Sequence, residues 1–237
     1  MKRRAVLFDI GGPIDTEIAW EALMDELIRG SVGRRNQQKV SDAAYAAAWR
    51  RAIDSHAPNA SQAVVWELLD QDGEEAAHAW SRIAARARAK PALPECRPGI
   101  ADLLLALRAQ GVVLALAANQ PAQMLAEVGL LQLFDVRGLP KVIDLRKPDP
   151  RFFLHVTAAL GLQPEECVMV GDRIDNDIAP ARGLGMGTML FRTGRHARQR
   201  PRSWLEVPDV VVWDVDELRV GLMRVLQGDG YTNRPSF

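Results

Sequence analysis

Val112 to Ala118 reads VVLALAA, apolar without interruption. A run this short, with no alternation of polar residues, specifies a strand covered on both faces. Ala5 to Ile10 is a second such run, ended by Gly11, Gly12 and Pro13, which reads as a buried strand feeding a loop. Cys167 to Val170 is a third, ended by Gly171-Asp172; Thr188 to Phe191 and Val210 to Trp213 make two more. Helical stripes lie between them. Ile100, Leu103, Leu104 and Leu107 share a face and stop at Gly111. Further helices are expected over Ala122 to Gln132, around Phe152, Phe153, Val156 and Leu160 up to Gly161, over Ile178 to Gly183, and around Leu218, Leu222, Val225 and Leu226. Strands alternating with helices imply an α/β fold, a Rossmann-like parallel sheet with helices on both faces.

One stretch breaks the alternation. From Thr16 to about Lys90 the chain is rich in Ala, Arg, Gln and Glu and carries no strand pattern. Thr16 can cap its first helix, with Glu17 in the first turn. Trp20, Leu23, Met24, Leu27 and Ile28 then follow at steps of three and four. Pro58 and Gly73 are natural breaks, and the character changes at Pro91 to Pro98. The expected organisation is a core of residues 1–15 and 96–237 with an all-helical cap, 16–95, inserted into it. Trp20, Trp49, Trp66 and Trp80 sit at spacings suited to the core of that cap. The tail from Gly228 is expected to be mobile.

Charge and cysteine usage narrow the function classes. Thirty basic and thirty acidic residues leave no net charge, so no global field favours nucleic acid or an anionic membrane. The basic run Arg192, Arg195, His196, Arg198, Arg200 and Arg202 lacks interleaved aromatics and reads as a solvated loop. The N-terminal apolar run is too short for a signal peptide, and no stretch approaches the ~18 apolar residues of a membrane span. Cys96 and Cys167 lie far apart without metal-ligand spacing and read as inert core thiols. A reducing, cytoplasmic setting is expected.

Open parallel sheets gather ligands beyond the carboxyl ends of their strands. Three of the expected ends carry polar residues: Asp9, Asn119, and Asp172 followed by Asp177. Lys147, in RKPDP, opens the helix carrying Phe152. Clustered carboxylates repel, and a hard divalent cation such as Mg2+ relieves that repulsion. A cation also aligns a phosphate for in-line attack. A carboxylate can itself be the nucleophile, with a lysine balancing the charge.

The motifs FDIGGPIDTE, LALAANQ, RKPDPRFF and VGDRIDNDIAPARGLGM, in that order, resemble the haloacid dehalogenase superfamily over nearly the whole chain. The helical block between the first two motifs is similar to the phosphatase-rich branch. The resemblance implies Asp9 as nucleophile, the Gly11 carbonyl as a metal ligand, and Lys147 as the charge-balancing lysine. It places Asn119 just after the phosphate-holding position. It makes Asp172 a direct Mg2+ ligand and Asp177 a ligand or an orienter of metal-bound water, with Asp175 and Asn176 in the same loop. The implied activity is Mg2+-dependent hydrolysis of a small phosphorylated metabolite through an aspartyl-phosphate, with substrate choice set by cap side chains.

Three positions depart from that pattern. Gly11 stands where such phosphatases usually carry a second aspartate, whose acid–base help is typically worth ~10²–10⁴ in rate. Pro13 replaces a usual Thr. Ala118 replaces the Ser or Thr that holds a phosphate oxygen, a bond worth about 1.5–3 kcal/mol. These residues keep two alternatives open: a binding or regulatory protein without turnover, and a metal-independent 2-haloacid dehalogenase. A phosphonate-cleaving relative would need a cap lysine, for which Lys39 and Lys90 are the candidates. Asp15 is the candidate for the missing acid.

Overall fold

The computed structural model describes residues 3–36, 40–69, 73–90, 95–139 and 143–227. The tail from Gly228 and Lys39 lie outside them. The chain divides into two compact units, Met1–Thr16 with Cys96–Phe237, and Glu17–Glu95.

The first unit is built on six strands: β1 Ala5–Phe8, β2 Val113–Ala117, β3 Val136–Gly138, β4 Cys167–Gly171, β5 Gly187–Phe191 and β6 Val210–Val212. They form one sheet in the order β3-β2-β1-β4-β5-β6, with every pair parallel. Around it run α5 Ile100–Ala109, α6 Gln123–Glu127, α7 Pro150–Ala159, α8 Ala179–Gly183 and α9 Val215–Gln227. In β1 the side chains alternate between two apolar layers. Val6 and Phe8 join Leu103, Leu104 and Leu107 of α5 and Leu218 and Leu222 of α9. Ala5 and Leu7 join Phe152, Phe153 and Val156 of α7 and Ala181 of α8. This double burial explains the unbroken apolar runs.

Among its described residues the second unit holds four helices: α1 Ile18–Asn36, α2 Asp42–Asp54, α3 Ala60–Leu68 and α4 Gly73–Ala89. Its own core joins Met24, Ile28 and Val32 of α1 to Val64 and Val65 of α3 and Ile83 of α4. Ser41 and Asn59 cap α2 and α3 by accepting the N–H groups of Ala44 and Gln62. Trp49, Trp66 and Trp80 pack against this core. Trp20 does not: it is 43% exposed. Lys90, just past α4, pairs with Glu26 of α1.

Several expectations shift in detail. Glu17, at φ 59, precedes Ile18, so Thr16 does not hold the capping position. The helix expected over 122–132 stops at Glu127. Gly129 turns left-handed at φ 72 and Leu130 N–H closes back on the Leu125 carbonyl at 2.8 Å, a helix-ending turn. A 3-10 turn, Leu131–Leu133, follows. β3 was not legible: it is a three-residue edge strand with Arg137 exposed at its centre. Ahead of α8, residues Ile174–Ile178 form a π-helical turn. The basic run is not a solvated loop throughout. Arg192 donates to the carbonyls of Ala197 and Gln199, Arg195–Arg198 is a 3-10 turn, and Gln199 is buried. Among the described residues, no helix is long and apolar enough to cross a membrane.

Candidate active site

The strand order reverses at β1, which has β2 on one side and β4 on the other. A crevice opens at the carboxyl ends of strands at such a reversal. Register decides what stands there. Phe8 pairs with Val170 and Asp9 N–H reaches the Val170 carbonyl at 2.9 Å, so Asp9 leaves β1 level with Gly171 and beside Asp172.

Asp177 comes from the π-helical turn. Its Oδ2 accepts the Arg173 N–H at 3.0 Å, which folds the carboxylate back over the end of β4. This demands glycine at 171: a Cβ there would lie 2.4 Å from the Asp177 carboxyl carbon. Gly12 is equally constrained. It sits at φ +82, and a Cβ would lie 2.6 Å from that of Asp172. The result is three buried carboxylates, Asp9, Asp172 and Asp177, each offering an oxygen within 4.8 Å of the others.

Lys147 enters from the segment before α7, where Asp149 caps the helix and Pro150 takes its first turn. Its Nζ lies 3.0 Å from Asp9 Oδ2 and 2.6 Å from Asp177 Oδ1, and its side chain is wholly buried. Asn119 fixes its backbone: the amide nitrogen donates to the Lys147 carbonyl and the amide oxygen accepts the Lys147 N–H, each at 2.9 Å. Asn119, expected at the phosphate, is therefore engaged as a clamp on Lys147. Ala118 is buried and spends its N–H on the Gly138 carbonyl at 3.1 Å.

Electrostatics follow from this enclosure. Burial pushes the Asp9 carboxyl up to about 6, against the pull of the Lys147 ammonium, while the Asp177 charge adds to the rise. Burial works against the charge on Lys147 too, yet Asp177 and Asp9 hold it above its ordinary value. Lys147 faces Asp9 and Asp177, and the Arg173 guanidinium, paired with Asp175, also feels the charges of Asp172 and Asp177. A cluster of three buried carboxylates, an all-oxygen donor set, fits a hard divalent cation.

The structure brings Asp9, Asp172, Asp177, Lys147 and Asn119 together, with buried Gly11 in the loop after Asp9, bridged to Asp15. Asp175 turns to Arg173 and Gln199 instead. Asp15 acts on Cys96, whose thiol is raised by burial and by that charge. Cys167 fits an inert thiol: burial pushes it up to about 12.

Two supporting residues carried no sequence signal. Arg97 donates to the Gly12 carbonyl and to Thr193 Oγ1, both at 2.8 Å, with its guanidinium over Phe191. It ties the loop after β1 to the loop after β5. Gln199, 1% exposed, accepts the Ile174 N–H at 2.8 Å and donates to Asp175 at 2.7 Å, bracing the turn that carries Asp177. Gln199→Ala is expected to leave the fold intact and weaken divalent-cation binding by about 10–100-fold, as loss of a ligand's support does. Calorimetric titration with the cation checks this.

A family model for haloacid dehalogenase-like hydrolases matches residues 3–185. Glyceraldehyde 3-phosphate phosphatase of Methanopyrus kandleri is 34% identical over 116 residues, 47% of this chain and 50% of that protein. The chain thus spans about half the length of the first curated relatives it matches. Phosphoserine phosphatase of Thermus thermophilus is 28% identical over 91% of this chain and 90% of its own. Among solved structures, a HAD phosphatase from Thermococcus onnurineus is 26% identical with a TM-score of 0.59, covering 92% of this chain and 97% of its own. A predicted phosphoglycolate phosphatase from Haemophilus somnus shares the fold, with TM-score 0.69 at 22% identity over 93% and 99% of the two chains.

Proposed function

The chain belongs to the haloacid dehalogenase-like hydrolase family, and on that premise we propose that it is a Mg2+-dependent phosphatase of small phosphorylated metabolites, with Asp9 as nucleophile. The observation that carries this reading is the convergence of Asp9, Asp172 and Asp177 with buried Lys147 at the β1/β4 reversal. Relatives named as phosphatases support it.

In this reading Asp9 attacks phosphorus and forms an aspartyl-phosphate, which water then cleaves. The Ile10 N–H donates to Asp9 Oδ1 at 2.7 Å and Lys147 pairs with Oδ2, which fixes the rotamer and favours the ionised form. Asp9, Asp172 and the Gly11 carbonyl would hold the cation, with Asp177 as a further ligand or an orienter of its water. A cation held there would supply charge neutralisation to the phosphoryl oxygens. Asn119 serves through Lys147. The helical unit, read as the inserted cap, is assigned substrate choice, and a cytoplasmic setting fits metabolite hydrolysis.

A panel of phosphate monoesters assayed with Mg2+ tests this. Phosphate release that EDTA abolishes and Mg2+ restores is expected. Halide release from 2-haloacids persisting in EDTA would favour the dehalogenase reading instead. Tight binding of phosphate mimics with no product from any ester would favour a binding protein, the reading that Gly11 and buried Ala118 motivate.

A further inference from the structure

The loop after β1 engages most of its backbone carbonyls in hydrogen bonds. The Ile10 carbonyl accepts the N–H groups of Ile14 and Asp15 at 3.1 and 2.8 Å, and the Asp15 carbonyl accepts the Gly12 N–H at 3.0 Å. Two more acceptors are taken by one residue. Arg97 donates its backbone N–H to the Ile14 carbonyl at 2.7 Å and its Nε to the Gly12 carbonyl at 2.8 Å. Among the described residues, no hydrogen bond claims the carbonyls of Gly11 and Pro13, and both residues are buried. A buried carbonyl without a donor carries a desolvation cost that a ligand can remove.

Of the two, Gly11 is the one whose following peptide abuts the carboxylates. A Cβ on Gly12 would lie 2.6 and 2.9 Å from the Asp172 Cβ and Cγ. The Gly11–Gly12 peptide is trans, and in a planar trans peptide the C=O and N–H point opposite ways. With the Gly12 N–H held on Asp15, the Gly11 carbonyl points away from Asp15.

Arg97 sets where that peptide stands. Gly12 follows β1 and Thr193 follows β5, with the end of β4 between those strands in the sheet. Arg97 spans the gap: Nη2 donates to Thr193 Oγ1 at 2.8 Å while Nε holds Gly12. Its guanidinium carbon lies 4.7 Å from the ring centroid of Phe191, a fully buried residue of β5. The loop is thus fastened to a rigid strand. Two acceptors and a ring face suit a planar fork, and a lysine ammonium on its flexible stem cannot serve all three.

We infer that Arg97 is a positioning residue for the cation site: it occupies the Gly12 and Ile14 carbonyls and leaves the buried Gly11 carbonyl presented at a fixed place as a backbone oxygen ligand. This rests on the metal-dependent part of the phosphatase reading. The consequence is selectivity. Mg2+ demands near-octahedral geometry at short distances, whereas Ca2+ accepts a looser, more variable set of oxygens. A rigidly held carbonyl therefore favours Mg2+ over Ca2+.

The test is calorimetric titration with Mg2+ and with Ca2+, without substrate, of wild type, Arg97→Met, Thr193→Val and the double variant. Arg97→Met is expected to weaken Mg2+ binding by ~10–100-fold, the scale of losing a ligand's support, and to lower the Mg2+-to-Ca2+ affinity ratio by about tenfold. Thr193→Val keeps the shape and removes one of the two tethers, so a loss of about fivefold is expected for Mg2+. The double variant should bind no more weakly than Arg97→Met, because both changes break one linkage. Unchanged Mg2+ affinity in either single variant, or equal losses for the two cations, would mean that Arg97 acts as packing alone and overturns the inference. Thr193→Val decides if Arg97→Met misfolds. Mg2+-dependent phosphate release by wild type, alongside unchanged affinities in the variants, sinks the role of Arg97 and leaves the phosphatase reading standing. Wild type that binds neither cation overturns both.

Discussion

Asp9→Asn is expected to reduce phosphate release to background, ~10⁴-fold or more below wild type, the scale of losing the nucleophile from a covalent mechanism. The substitution is close to isosteric, so the loss is chemical. An amide oxygen still accepts from Ile10 N–H and Lys147, whose partners stand at 2.7 and 3.0 Å. It cannot attack phosphorus as an anion. Stability should move the other way. A carboxyl raised from 3.8 to about 6 in the folded metal-free protein binds its proton more tightly folded than unfolded. Its contribution is therefore neutral below about pH 4 and becomes a cost of about 3 kcal/mol once pH has risen through 6. Asn carries no such cost. At neutral pH, without cation, the variant is expected to melt no lower than wild type, and calorimetry alongside the activity assay checks both halves. A variant that is inactive because it is unfolded would contradict this.

Lys147→Met is expected to damage both stability and catalysis. Methionine fills the same slot without charge and leaves Asp9 and Asp177 facing each other where the ammonium stood 3.0 and 2.6 Å away. Removing one member of a buried ion pair typically costs about 3–5 kcal/mol. The Lys147 charge pulls the Asp9 pKa down, so its loss drives that pKa above 6. A raised carboxyl pKa costs stability only as pH climbs through it. The destabilisation should therefore be smaller near about pH 5 than at neutral pH. The same rise depletes the nucleophilic form. Activity should fall by ~10²–10³, the scale of losing one preorganised charge-stabilising donor, and the pH profile should shift to the alkaline side. Melting and rate profiles across pH would show both. A uniform loss at every pH would mean that Lys147 acts as packing alone.

Much of this was legible in the sequence, for identifiable reasons. The strands at 5–8, 113–117 and 167–171 lie at the centre of the sheet, where double burial removes every polar residue. β3, at the edge, had only three residues and an arginine at its middle, so no pattern could form. The helix after Ala122 was overextended because Met124, Val128 and Leu131 keep helical spacing through Gly129, whose left-handed turn ends it. Site residues were readable where a side chain stands at a strand end. Asn119 was readable as a position, while the pairing of its side-chain amide with the Lys147 backbone is visible only in the geometry. Arg97 and Gln199 each act through two long-range hydrogen bonds from segments without periodicity. Such residues have no signature within one sequence.

The central claim is that Asp9 receives the phosphoryl group. Acid-quenching the enzyme within one turnover of an aryl phosphate and Mg2+, then mapping peptides by mass spectrometry, tests it most directly. The account predicts a phosphoryl mass increment on the peptide carrying Asp9, converted by borohydride to homoserine at position 9 and absent from Asp9→Asn. Turnover by Asp9→Asn at the wild-type rate, or a phosphoryl group trapped on another residue with Asp9 unmodified, would contradict it.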